Sequence, residues 1–323
     1  MYSGSVGVPG IFLSDKPMKN LVLVIVFMWL VACNNQIETD YTVVEQSGQT
    51  TYQDDSLLND YRLITEIGSY FYATDLTSTR LVKMDNEYNV VLAEGREGHG
   101  PGEFMRIAGL FEVGDELFVF DDRTRRVSVM DLNLQLKRVF TLDEQIIDLE
   151  FVGNRAFAVL FQMDKWSLIE YDVASFKNPS YLHVENTRHA DHGIGYLYAR
   201  EDHLITNHIF TNKSTLLNTR TGEVKKLAFS HLPEQTTYSN AGGRRVPLKP
   251  VYFTAMPYGE SIIQLAEIND KMMVFITDFS GNVRYAVHLT DSLTAASLSE
   301  RGVYGLSDTV TYFYPLDTLL KDD

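Results

Sequence analysis

Beyond about residue 56 the chain is a succession of short apolar and aromatic runs, such as YFYAT, LFVF and MMVFIT, broken by polar turns rich in Asp, Asn and Gly. No stretch there sustains the 3.6-residue apolar period of a surface helix. Short strands with turns at regular intervals predict an all-β sandwich, barrel or propeller.

The spacing selects among these. Glu66–Asp85, EIGSYFYATDLTSTRLVKMD, aligns without gaps on Glu112–Asp131, EVGDELFVFDDRTRRVSVMD, at an offset of 46. Glu66, Gly68, Asp75, Arg80, Met84 and Asp85 meet identical residues in the second segment. The unit recurs more faintly: Asp172 stands 41 residues after Asp131, Asn218 stands 46 further on, and Asp278 another 60. Four-stranded units of about 40–45 residues have the period of a β-propeller. Residues 56–320 divide into six units of 44, against 53 for five and 38 for seven, so six blades are expected. A strand near Tyr41–Glu45 is expected to pair into the last blade and close the ring, which removes a free edge.

The first 33 residues stand apart from this fold. Leu21–Ala32, LVLVIVFMWLVA, is twelve residues without a charge, too short for a span of about 20. Its length is that of a signal-peptide apolar region, with Lys16 and Lys19 supplying the positive flank. Met18 begins a complete signal by itself, so residues 1–17 read as an upstream extension. The run ends Leu30-Val31-Ala32-Cys33, which resembles the bacterial lipobox, and Cys33 is the only cysteine. The alternative is a small buried thiol; the position of Cys33 before polar NNQIETD favours lipid attachment. Several acyl chains on one residue give stable anchoring where one would be marginal. Residues 1–32 are thus read as a lipoprotein signal peptide, 33–55 as a lipidated tether with one candidate strand, and 56–323 as the propeller.

The net charge is −15, and removing Asp15, Lys16 and Lys19 takes away a net +1, leaving about −16. So acidic a body argues against nucleic acid and against direct contact with anionic lipid. The expected location is the bacterial envelope. Asn34 after the cysteine is not an inner-membrane retention aspartate, which favours the outer membrane.

GHGPGEF followed by DELFVFDDRTRRVSVMD resembles an NHL-type repeat: a Gly-rich link ending in Phe, a strand, Asp, a polar turn, Arg and another strand. With the lipobox, the chain resembles the six-bladed TolB-like β-propeller lipoproteins of the Bacteroidetes group. The resemblance covers about residues 56–140, and later units lack the Asp-x4-Arg pair. It implies a fold and a place but no reaction.

Four features carry candidate chemistry. Gly95–Phe104, GREGHGPGEF, looks like a phosphate cradle, but β structure follows it where a helix N-terminus is needed. It is therefore expected to link the first two blades, with His99 and Glu103 as candidate channel contacts. His189, His192, His203 and His208 cluster within twenty residues. Strand alternation sends His203 and His208 to opposite faces, leaving His189 and His192 as weak metal candidates. Asp75–Arg80 and Asp121–Arg126 recur in adjacent units, as expected of structural brackets. Tyr238–Gly259 holds most of the extra residues in the 60-residue interval. Its Arg244, Arg245, Lys249, Tyr252 and Tyr258 make a candidate ligand or partner loop, the alternative being an insertion that covers a blade edge.

No nucleophile elbow, zinc-protease helix or P-loop is present, and no catalytic residue is assigned. The reading is a membrane-anchored, non-enzymatic binding propeller for a small ligand, glycan or envelope protein, with no cofactor predicted. The alternative is a metal-dependent propeller enzyme acting on sugars or lactones, its divalent ion held in the central channel.

Overall fold

The computed structural model describes residues 42–52, 61–75, 77–87, 89–162, 165–186, 194–241, 244–293, 295–298, 302–306 and 311–320. Two strands come first, β1 (Thr42–Gln46) and β2 (Gln49–Tyr52). The first sheet follows as β3 (Tyr61–Ile67), β4 (Tyr70–Asp75), β5 (Leu81–Met84) and β6 (Val90–Glu94). The second is β7 (Ile107–Val113), β8 (Glu116–Asp121), β9 (Arg126–Asp131) and β10 (Leu136–Thr141). The third is β11 (Ile146–Val152), β12 (Arg155–Gln162), β13 (Lys165–Asp172) and β14 (Ser180–Glu185). The fourth is β15 (Ile194–Arg200), β16 (His203–His208), β17 (Lys213–Asn218) and β18 (Val224–Ala228). A hairpin of β19 (Tyr238–Ala241) and β20 (Arg244–Pro247) precedes the fifth sheet: β21 (Thr254–Tyr258), β22 (Ser261–Ile268), β23 (Lys271–Asp278) and β24 (Val283–Leu289). The last sheet holds β25 (Ala295–Leu298), β26 (Gly302–Leu306) and β27 (Thr311–Pro315), with the short helix α1 (Leu316–Leu319) behind it.

The middle strands are apolar on both faces, and the two faces belong to different cores. In β8, Leu117 and Val119 pack with the first sheet's Tyr72 and Leu81, while Phe118 and Phe120 pack with the third sheet's Ala156, Ala158 and Ile169. In β12, Phe157 and Val159 turn the other way, toward Leu204 and Leu217 of the fourth sheet. Further cores lie between the fourth and fifth sheets and between the fifth and last. Period-two geometry converts continuous apolar runs into two-sided burial. Each large side chain so removed from water contributes about 1.5–3 kcal/mol. The first strands of successive sheets touch in order: β3 to β7, β11, β15, β21 and β25. Antiparallel sheets stacked face to face, with their first strands innermost, make a β-propeller.

Two expectations need correction. Six four-stranded blades were expected; among the described residues five sheets have four strands and the fifth in chain order has five. The extra strand is β1, expected in the last blade. It lies instead parallel to β24, from Thr42 opposite Tyr285 to Gln46 opposite Leu289. The next strand, β2, pairs antiparallel with β27 and completes the last sheet.

The repeated acidic position also acquires a cause. Asp131, Asp172, Asn218 and Asp278 each end a third strand, and Asp85 directly follows one. Each accepts backbone N–H bonds from the turn that follows, for example Asp131 Oδ1 from Asn133 and Gln135, both at 2.9 Å. Asx turns of this kind fix the hairpin to the fourth strand.

Candidate functional site

The Gly95–Phe104 segment is a sheet-to-sheet link closed around its own glutamate. Glu103 accepts the Arg96 guanidinium (Nε 2.8 Å, Nη2 2.5 Å) and the Gly100 N–H at 2.7 Å. The Gly100 amide and then Arg96 hold this carboxyl below the usual carboxylate range. A Cβ at Gly100 would lie 2.8 Å from the same carboxylate, so the glycines make room for Glu103. The His99 ring is exposed and its carbonyl faces inward to Arg126. Phe104 is buried against Ile107 and Leu117.

The Asp-x4-Arg residues do not pair with one another through their side chains. Asp75 Oδ1 accepts N–H bonds from Thr79 and Arg80. Asp121, 1 % exposed, accepts Arg123, Thr124 and, from the preceding link, Met105 at 2.7 Å. Arg126 donates to the carbonyls of His99 (2.8 Å), Gly100 (3.2 Å) and Glu103 (2.9 Å). It thereby clamps the glycine link onto the second sheet.

The predicted ligand loop disperses. Tyr252 is fully buried: its hydroxyl donates to the Lys213 carbonyl at 2.9 Å and accepts the His208 N–H at 2.8 Å, with Ser214 Oγ at 2.8 Å. Burial pushes its pKa up. Lys249 reaches Glu267 at 3.3 Å. Tyr258, at the far end of β21, takes the Arg200 guanidinium 3.9 Å above its ring. Arg244 and Arg245 open β20 and pair with Ala241 and Asn240. Cys33, His189 and His192 lie outside the described residues. Of the other two histidines, His208 packs on Trp166 (5.4 Å) and His203 on Phe279 (4.6 Å), so they face the third and fifth sheets. Among the described residues no group of three or more His, Cys, Asp or Glu is placed to hold a metal ion.

On the innermost strands, β3, β7, β11 and β15 each carry a register shift near their start. In β11 the shift falls between Ile146 and Asp148. Asp148 accepts N–H bonds from Leu149 (3.0 Å) and from Leu197 of β15 (2.8 Å), joining two inner strands. Burial pushes this carboxyl up to about 7.

The opposite end of the sheets carries an open groove of about 640 Å³ between the fourth and fifth sheets. Four turns build it: β15–β16, β17–β18, β21–β22 and β23–β24. His203 and Phe279 lie side by side on its wall, and Asn218 Nδ2 stands 3.4 Å from His203 Nε2. Carboxylates outnumber guanidiniums: Glu201, Asp202, Glu260 and Asp278 against Arg220 and Arg284. Arg220 is committed to Asp202, Arg284 donates to Ser261 Oγ at 3.2 Å, and Asp278 is held by Ser280 and Asn282. Glu201 and Glu260 are both exposed on the rim.

Glu201 breaks a rule that its equivalents obey. The two-residue turn between first and second strands opens at Gly68, Gly114, Gly153 and Gly259, with φ of +63°, +62°, +56° and +53°. The fourth sheet places Glu201 there, at φ +53°. Turns of this shape call for glycine first, and a side chain in the left-handed region costs roughly 1–2 kcal/mol. A strained residue on a groove rim points from conformation to function. The recurrent glycine is visible in the sequence; its replacement at Glu201 is the signal that the motif-based reading passed over.

No protein-family model matches the chain, and no curated protein matches it at a significant level. Solved structures do. A Bacteroides fragilis protein described as exported superposes with a TM-score of 0.52 at 11% identity, over 82% of this chain and 88% of that one. A DUF4221 family member from Bacteroides vulgatus gives 0.53 at 10%, over 82% and 94%. A streptogramin B lyase gives 0.52 at 8%, over 84% and 86%. At such identities the likeness is one of fold alone, and it is shared by an enzyme.

Proposed function

We propose that this chain is an exported, lipid-anchored β-propeller of six blades that binds an envelope ligand in the groove between its fourth and fifth sheets. The six are the five four-stranded sheets and the five-stranded fifth sheet, with β1 as a strap added to its outer edge. Export is supported by the Leu21–Ala32 run and by the description of the Bacteroides fragilis neighbour as exported. Anchoring rests on Cys33 at the end of that run, and the outer membrane remains the favoured location. The binding reading rests on one observation above the others: Glu201 is kept in a strained turn position on a groove rim, where four equivalent turns have glycine. A rigid stack of sheets that presents such a turn suits recognition.

Two experiments test this reading. Cys33→Ala should move the protein from the membrane to the soluble fraction; unchanged fractionation removes the anchor. Immobilised full-length protein should retain material from a detergent extract of the envelope. Glu260→Arg, an exposed rim change, should lower that retention about tenfold or more. Equal retention by both forms removes the groove as the binding surface.

A further inference from the structure

We infer that the ligand of this groove is a glycan whose bound residue is neutral or carries an amine, and that acidic sugars are rejected. The inference rests on the groove being the binding surface and goes on to name what enters it. The wall is an aromatic pair, Phe279 and His203, with centroids 4.6 Å apart and planes tilted by 49°. A half-exposed aromatic face accepts the C–H face of a pyranose ring, where planar polar side chains beside it accept the hydroxyl groups. The rim supplies such groups in Glu201 and Glu260.

Charge sets the choice among sugars. Four carboxylates face two guanidiniums and the Lys225 ammonium, which reaches Ser280 Oγ at 3.3 Å, a balance of −1, and both guanidiniums already have oxygen partners. The two rim glutamates therefore have acceptor capacity for hydroxyl or ammonium donors, and a carboxylate or sulfate would meet like charge. An extended peptide fits less well. The groove is walled by four turns and offers no free strand edge for a backbone ladder.

The experiment is a calorimetric titration of the full-length protein with three defined trisaccharides: chitotriose in its N-acetylated form, the same trimer fully deacetylated, and trigalacturonate. The deacetylated trimer should bind most tightly, the acetylated one several-fold more weakly, and trigalacturonate not measurably. Glu201→Gly should weaken the deacetylated trimer about tenfold or more while the melting temperature holds or rises, because glycine relieves the turn. A structural role for Glu201 would instead lower the melting temperature and leave binding alone. Tight trigalacturonate binding, or no binding of any trimer while Glu260→Arg still abolishes envelope retention, overturns the glycan class and spares the groove. No trimer binding together with unchanged retention overturns both.

Discussion

His203 on β16 lies 4.6 Å from Phe279, centroid to centroid, across the seam between the fourth and fifth sheets. Neither ring is fully buried, so the contact is both a seam and a surface. Phe279→Leu keeps apolar bulk in the seam and removes the ring face. Stability should change by less than about 1.5 kcal/mol, while retention of envelope material falls about fivefold. A loss of stability without a loss of retention would assign Phe279 to packing alone.

Asp291 clasps the two ends of the fold. Its Oδ2 accepts the Tyr314 hydroxyl at 2.6 Å and the Gly48 N–H at 2.8 Å, tying the turn before β2 to the last sheet. A Cβ at Gly48 would meet the Tyr314 ring at 2.8 Å and Tyr312 Cβ at 2.9 Å. Gly48→Val should therefore cost about 1–3 kcal/mol, a fall of roughly 2–8 °C in Tm. An unchanged thermal scan would mean that β2 does not close the sheet.

Arg126 gives three hydrogen bonds to the carbonyls of the glycine link. Bonds from a charged donor contribute about 1.5–3 kcal/mol, and Arg126→Ala should lose an amount at the lower end because the site is partly exposed. Limited proteolysis should then cut within 98–103. Resistance equal to the wild type would show that the link holds without its clamp.

Buried His231 and half-buried Asp148 titrate in opposition. Burial pushes His231 down to about 4 from 6.5, partly offset by Gln264. The unfolded chain thus takes up this proton first. The stability tied to neutral His231 is full above about 6.5 and is lost as pH falls toward 4, by about 3 kcal/mol. Asp148, raised to about 7 from 3.8, acts the other way: its contribution is full below about 4 and is lost as pH rises to 7. Denaturant melts of the wild type should vary little between pH 4 and 7. His231→Phe should leave a chain that weakens as pH rises, and Asp148→Asn one that weakens as pH falls. Parallel profiles for all three proteins would contradict both assignments.

The parts of the fold that were legible in the sequence are those where one side chain does one local job. Asp85, Asp131, Asp172, Asn218 and Asp278 recur because each Asx turn needs an acceptor at that place, and their spacing revealed the propeller. The partner of β1 was not legible. TVVEQ has the same pattern whether it pairs with β24 or with β27, and only the fold decides which edge is within reach. Tyr252 illustrates a second limit. It sits among Gly, Pro and Arg in sequence, yet its ring fills the space between the fourth and fifth sheets. The groove was hidden for a third reason. It is assembled from four unremarkable turns in two repeats, and only Glu201, standing where glycine recurs, left a trace.

The binding surface shows itself most directly in where backbone exchange slows when the ligand is present. Amide hydrogen exchange of the full-length protein, read peptide by peptide with and without envelope extract, should slow at 200–203, 218–221, 258–261 and 278–284. The β19–β20 hairpin at 238–247 should be unchanged. Slowing confined to that hairpin or to the 95–104 link, with the four turns unaffected, would contradict the groove as the binding surface.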